Sequence, residues 1–170
     1  MEELWLNPNY YLMLATTIKK NLQELTSSKY AAEEIEKNYK VLEEELTTLD
    51  AKLRSIAEAA KNNHKETIIV AYDTFGFLEK YGFNVINISK DINVTNNIKN
   101  KFKRNTYKKI FVNNREKVSD SIKELVDDYG AELIEVSTMS TLTDEQKQNK
   151  ENYLTIMNDF LNKLSNVVLA

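Results

Sequence analysis

Cysteine is missing from all 170 residues, and that absence removes disulfides, thiolate metal sites, iron–sulfur ligation and cysteine nucleophiles together. A chain without thiols also suits exposure to oxidants outside the cell. Glycine occurs three times and proline once. Isolated glycines build no phosphate-cradling loop, and so little punctuation implies long elements joined by short connections. The single histidine, His64, follows Lys61-Asn62-Asn63 at the end of a polar helical stretch, far from any serine at a strand–helix elbow. It reads as a solvated, helix-terminal residue. No apolar run approaches a membrane span, and Met1-Glu2-Glu3-Leu4-Trp5 lacks the basic and apolar segments of a signal. The net charge of −3 gives no general attraction to nucleic acid or anionic lipid.

What is present describes an ordinary globular protein, 42% hydrophobic and 29% charged, long enough for one domain with a sizeable core. Residues 1–170 read as a single domain in three parts: a backbone helix segment over 1–26, a long amphipathic helix over 28–63, and an α/β core with a closing helix over 67–170. Pro8, after Asn7, suits the first position of a helix, which carries Tyr11, Leu12, Leu14, Ala15, Ile18, Leu22 and Leu25 on a broad apolar face. In the second helix Ile35, Tyr39, Leu42, Leu46, Leu49, Leu53, Ile56 and Ala60 recur at spacings of four and three. That seam needs a partner. Packing onto the first helix and the domain beyond it is favoured over a dimerising coiled coil.

From Thr67 the period changes. Ile68–Val70, Val85–Ile88, Ile110–Val112 and Leu133–Val136 are short β-rich runs, separated by helical segments at Phe75–Tyr81, Val94–Phe102 and Val118–Tyr129. Gly82 and Gly130 stand where helices need a left-handed closing residue. A final amphipathic helix carries Tyr153, Leu154, Ile156, Met157, Phe160, Leu161, Leu164 and Val168. Strands alternating with helices predict an α/β fold: a small four-stranded parallel sheet flanked by helices, preceded by the backbone helix and helical hairpin.

Strand ends in such a sheet face the crevice where ligands bind. Here they are polar: Tyr72-Asp73, Ser89, Asn113-Asn114 and Ser137-Thr138. Wet loops give the same pattern without a ligand. Asp73 is the one carboxylate inside this inferred crevice, although capping of the next helix accounts for it slightly better. Lys99, Lys101, Lys103, Arg104, Lys108, Lys109, Arg115 and Lys117 form a basic run with Phe102 and Tyr107 interleaved. A nucleic-acid patch has this form, but in an acidic chain a solvated face is the better reading.

The order of these pieces resembles the C-terminal half of the zinc- and manganese-type solute-binding proteins of ABC transporters. Glu3-Leu4-Trp5-Leu6-Asn7-Pro8 looks like the family's segment with histidine, tryptophan and proline that opens its backbone helix. Tyr39 and Leu46–Asp50 resemble its hairpin, and Val70–Gly82 follows its strand, ligand and Tyr-Gly pattern. Ile110–Val112 is similar to its next strand, and Glu151–Leu164 to its closing Tyr-Leu-x-x-Met helix. The resemblance spans essentially the whole chain. It implies a ligand set whose positions fall here on Glu3, Tyr72 and Ser137, with one more histidine in an N-terminal lobe outside this sequence. Tyrosine and serine supply neither the charge nor the donor strength that zinc or manganese requires. Glu3 alone stands as a plausible retained ligand.

The binding crevice is therefore expected at Glu3, Tyr72, Asp73, Asn113 and Ser137. No catalytic residues and no firm cofactor are expected, with zinc or manganese only if the family site is partly retained. The leading reading is the C-terminal lobe of an extracytoplasmic receptor, degenerate at its site and excised from a two-lobed, lipid-anchored cell-surface protein. Its partners would be the missing N-terminal lobe and an ABC permease, with no nucleic acid and no membrane insertion of this segment. A surface interaction or adhesin-like module that keeps the scaffold without metal is the alternative. An enzyme ranks third, since only Asp73 could begin a catalytic set.

Overall fold

The computed structural model describes residues 4–88, 95–114 and 117–169. A 3₁₀ turn at Leu4–Leu6 leads into α1 (Pro8–Leu25), then α2 (Lys29–Asn62). Asn7 caps α1 by accepting the Asn9 N–H at 3.0 Å, with Pro8 at the first helical position. Ser28 caps α2 through the Ala31 N–H. Beyond α2 come β1 (Thr67–Val70), a 3₁₀ helix (Asp73–Tyr81), β2 (Asn84–Asn87) and α3 (Asn96–Lys103). The chain closes with β3 (Lys109–Asn113), α4 (Asp120–Tyr129), β4 (Glu132–Val136), the short α5 (Asp144–Gln148) and α6 (Tyr153–Val168). Val94 lies outside the described residues. α5 had no sequence expectation; it is a single polar turn fixed by a capping box between Thr143 and Gln146.

The four strands form one parallel sheet in the order β2-β1-β3-β4, as the alternation of strands and helices predicts. The chain steps from β1 to β2 on one side, then crosses to β3 on the other, so the order reverses between β1 and β3. Alternate side chains of each strand serve two cores. Ile68, Val70 and Phe111 point to the face covered by α2, α6 and the 3₁₀ helix. Ile69, Ile110 and Val112 point to the face holding Phe102 of α3 and Ile122 and Leu125 of α4. Phe160 anchors the larger core, its ring centroid 6.1 to 6.3 Å from those of Phe77, Phe75 and Phe111.

The segment after β1 is wound as a 3₁₀ helix rather than an α-helix. With three residues per turn, Phe75, Leu78 and Tyr81 stack along one line facing the core. Gly82, at φ +97°, closes it and donates to the carbonyls of Leu78 and Glu79. The α2 seam packs as favoured: Leu46, Leu49, Leu53, Ala57 and Ala60 are buried against the core, while the stretch before Leu46 lies along α1. The apolar face of α1 is only partly covered. Met13, Leu14, Ile18, Leu22 and Leu25 remain exposed, because α2 alone is too narrow to cover an apolar arc that wide.

Candidate functional site

A parallel sheet brings every strand's carboxyl end to one edge. Tyr72 and Asp73 follow β1, Asn87 ends β2, Asn113 and Asn114 end β3, and Ser137 and Thr138 follow β4. Tyr72 and Asn113 flank the point where strand order reverses, the usual ligand position in open α/β sheets. Of the expected crevice residues, the fold thus places Tyr72, Asp73, Asn113 and Ser137 on one rim. Glu3 and Ser89 lie outside the described residues.

Several of the rim's polar groups are engaged in hydrogen bonds within the protein. Tyr72 is extended (φ −144°, ψ 153°), and its hydroxyl reaches across to donate to the Lys117 carbonyl at 3.1 Å. Asp73 does not cap the helix it begins. Tyr72 occupies the capping position but its side chain does not cap the helix, and the Asp73 carboxylate accepts from the Asn87 side-chain amide. That overturns the reading in which capping had the edge. A tight 3₁₀ turn leads the carboxylate out towards the neighbouring strand, and Asn87 at the end of β2 meets it there. Asn87 carries no signal in the sequence because it sits inside an apolar strand run. Ser137 turns back on its own loop and accepts the Met139 N–H at 3.1 Å, with Met139 at φ +58°. Thr138 is buried, and its carbonyl accepts from the Trp5 indole N–H at 2.9 Å. The amino-terminal segment is therefore fastened to the rim at β4.

A cavity of about 500 Å³ opens beside β4, lined by Asn114, Glu135, Ser137, Gln146, Glu151 and Thr155, with Asp159 and Lys163 of α6. Lys163 donates to the Glu135 carbonyl at 3.0 Å and pairs with Asp159 at 2.7 Å. Most of this lining comes from α5 and α6, whose polar faces gave no signal in the sequence.

The residues that carried the resemblance meet elsewhere, in a knot behind the rim. Asp50 of α2 accepts from Asn9 at 2.6 Å, from the Tyr81 hydroxyl at 2.7 Å and from Arg54 at 2.7 Å. The Tyr81 hydroxyl also lies 3.3 Å from the side-chain oxygen of Asn7. Burial, then the Asp50 carboxylate, push the Tyr81 phenol well above its ordinary range. Burial does the same to Tyr153, which stacks on Tyr11 at 4.3 Å. The knot binds α1, α2 and the 3₁₀ helix together and so fixes where Trp5 meets the rim.

The rim offers mostly uncharged donor atoms. Its hydroxyl and amide groups are neutral, and the Asp73 carboxylate is engaged by Asn87. Zinc takes imidazole, thiolate or carboxylate donors in a compact set. Among the described residues no group of three or more His, Cys, Asp or Glu side chains is placed to hold a metal ion. His64, exposed at φ +55°, follows α2 at the opposite edge of the sheet.

A parallel sheet with a polar carboxyl rim, fronted by a helical hairpin and closed by a long amphipathic helix, has the layout of an open α/β ligand-binding unit. The family of the periplasmic zinc-uptake complex component A matches residues 2–167, and the chain belongs to it. Its fold is that of the metal-dependent lipoprotein YcdH from Bacillus subtilis, with a TM-score of 0.79 at 23% identity over 98% of this chain. The Zn(II)-bound ZnuA-like domain of Streptococcus pneumoniae AdcA superposes with a TM-score of 0.70 at 21% identity over 97% of the chain. The periplasmic zinc-binding protein TroA from Treponema pallidum gives 0.72 at 15% identity, also over 97%. The chain spans only 64% of the first of those structures and 62% of the other two. No curated protein matches it by sequence.

Proposed function

We propose that this chain forms the C-terminal lobe of an extracytoplasmic solute-binding protein serving a metal-type ABC transporter, that its metal site is degenerate, and that it performs no catalysis. The observation carrying this reading is the state of Tyr72. At the head of the rim, where the family resemblance places a strong metal ligand, stands a neutral phenol whose hydroxyl is spent on the Lys117 carbonyl. Ser137, at another of those positions, is likewise turned into its own loop. In the whole protein a second lobe would close over this rim and a permease would receive the solute, with a lipid anchor supplied from outside this sequence. Delivery of that kind needs a clamp and no bond-breaking step. That agrees with a rim whose one carboxylate after β1 is held by the Asn87 amide.

Trp5 is the single tryptophan and touches the rim, so its fluorescence reports binding there directly. Titration of the chain with Zn²⁺ and with Mn²⁺, followed by calorimetry and by Trp5 emission, is expected to show no submicromolar binding. Submicromolar binding that disappears in E3A would overturn the degenerate-site reading. Tyr72→His, which returns imidazole to the head of the rim, is expected to raise Zn²⁺ affinity measurably over the parent.

A further inference from the structure

The chain's net charge of −3 conceals a segregated surface, and the sheet order is what segregates it. β1 and β3 are neighbours, so the segments that lead into them arrive side by side at the amino edge, opposite the polar rim. Into β1 comes the end of α2, with Lys61 and then Lys65. Into β3 comes the end of α3, with Lys101, Lys103 and Arg104, and then Lys108. The register pairs Ile69 with Ile110 and Val70 with Phe111, so Lys108 and Thr67 stand at the entrances of neighbouring strands. α2 ends on the face of Ile68 and Val70, and α3 on the face of Ile69 and Ile110. The cations therefore straddle the edge from both faces of the sheet. Lys61, Lys101, Lys103, Arg104 and Lys108 are all exposed, and none forms an ion pair among the described residues.

A basic residue in a helix's last turn is explained by the negative end of the helix dipole, which accounts for Lys61 and for part of the α3 cluster. It does not account for Arg104 and Lys108 beyond the helix, nor for two such helix ends meeting at one edge. Acidic residues reach this edge at two places, Glu66 at the entrance of β1 and Glu132 opposite Lys109. Glu33, Glu34, Glu36 and Glu43 to Glu45 sit on the distant half of α2, and Asp127, Asp128 and Glu132 lie on the β4 flank, next to β3 and α3. The aromatic residues of this region are turned inward. Phe102 is 1% exposed, and Tyr107 packs edge-on to it at 6.0 Å. A single-stranded nucleic acid needs exposed aromatic platforms for its bases, whereas a plane of anionic headgroups needs only clustered charge.

We infer that the amino edge of the sheet, built by Lys61, Lys101, Lys103, Arg104 and Lys108, is a docking surface for an anionic phospholipid bilayer. The segment lies on the membrane and does not enter it: no helix among the described residues is long and apolar enough to cross one. With this edge down, the carboxyl rim and Trp5 face away from the bilayer.

Co-sedimentation with vesicles tests this, comparing phosphatidylglycerol mixed into phosphatidylcholine with phosphatidylcholine alone. The chain is expected to bind only the anionic vesicles, and to release them when ionic strength rises from roughly 0.05 to 0.5 M. Each charge neutralised should weaken binding about fivefold. The variant K101E/K103E/R104E/K108E should not bind, while K29E/K37E, exposed on the acidic hairpin, should bind like the parent. Should the quadruple variant lose its circular-dichroism spectrum, K103E/K108E, at two exposed positions, carries the same test. Equal binding to neutral vesicles, or binding unchanged by reversal, overturns the inference. Patch-dependent capture of duplex DNA without vesicle binding overturns it too, and assigns the edge to a soluble polyanion.

Discussion

Replacing Asp50 with alanine removes the acceptor shared by Asn9, Tyr81 and Arg54. The Asp50 side chain is 14% exposed and that of Arg54 61%, so the bonds differ in worth. The Arg54 pair, on the surface and four residues along the same helix, is screened by solvent and contributes little. The bonds from Asn9 and Tyr81 go to a charged acceptor and are worth about 1.5–3 kcal/mol each in general. Partial exposure puts both near the low end of that range. Tyr81 keeps its longer contact with Asn7, whereas the Asn9 amide is left without its acceptor. The D50A variant should therefore lose about 3–4 kcal/mol, measured by urea unfolding with an unchanged m value. D50N keeps the shape and one acceptor oxygen and should lose about half as much. A double-mutant cycle with Y81F isolates the bond itself, with an expected coupling of about 1–2 kcal/mol. A loss under about 1 kcal/mol for D50A, or additivity with Y81F within about 0.3 kcal/mol, would refute the knot as the element that holds α1 to α2 and the 3₁₀ helix.

Phe160→Ala opens the centre of the larger core and should cost about 3–5 kcal/mol, seen as a fall of roughly 10 °C in melting temperature, while F160L should cost under about 1.5 kcal/mol. The alkaline limb of stability should belong to buried phenols. Burial raises Tyr81 and Tyr153 above their unfolded value, so their contribution is complete below about pH 10 and is lost as pH climbs through the folded value. Melting temperature should hold up to that point and fall beyond it, less steeply in Y81F and Y153F; a fall indifferent to both substitutions would remove the phenols as its cause. At neutral pH the two variants should part. The Tyr153 hydroxyl is buried without a hydrogen-bond partner among the described residues, so Y153F should be neutral or slightly stabilising. Y81F loses its bond to Asp50 and should cost about 1 kcal/mol or more.

Much of the fold was legible in the sequence because its signals are local. Pro8 behind Asn7, the seam from Leu46 to Ala60, and Gly82 and Gly130 at left-handed helix ends each follow from backbone and side-chain preferences acting over a few residues. The period changes marked the strands within a residue or two. The winding of Asp73–Tyr81 was not legible, since an α-helix and a 3₁₀ helix share composition and differ only in how tightly the core draws Phe75, Leu78 and Tyr81 into line. At the rim, residue types gave the positions but not the partners. Asp73 read as a cap because a carboxylate at a helix start usually is one, and only the pairing of β1 with β2 set Asn87 within its reach.

The sequence by itself determined an α/β chain without thiols, with a tyrosine and a serine at two of the positions where the family resemblance implies metal ligands. Those properties reside in the identity of each residue and survive any arrangement of the chain. The tertiary structure decided which distant residues share a place. It joined Asn9, Asp50 and Tyr81 into one knot, tied Trp5 to Thr138 at the rim, and gathered Lys61 with Lys103, Arg104 and Lys108 at the opposite edge. Strand order alone makes those groupings, because a parallel sheet sends every strand start to one edge and every strand end to the other, whatever their separation along the chain.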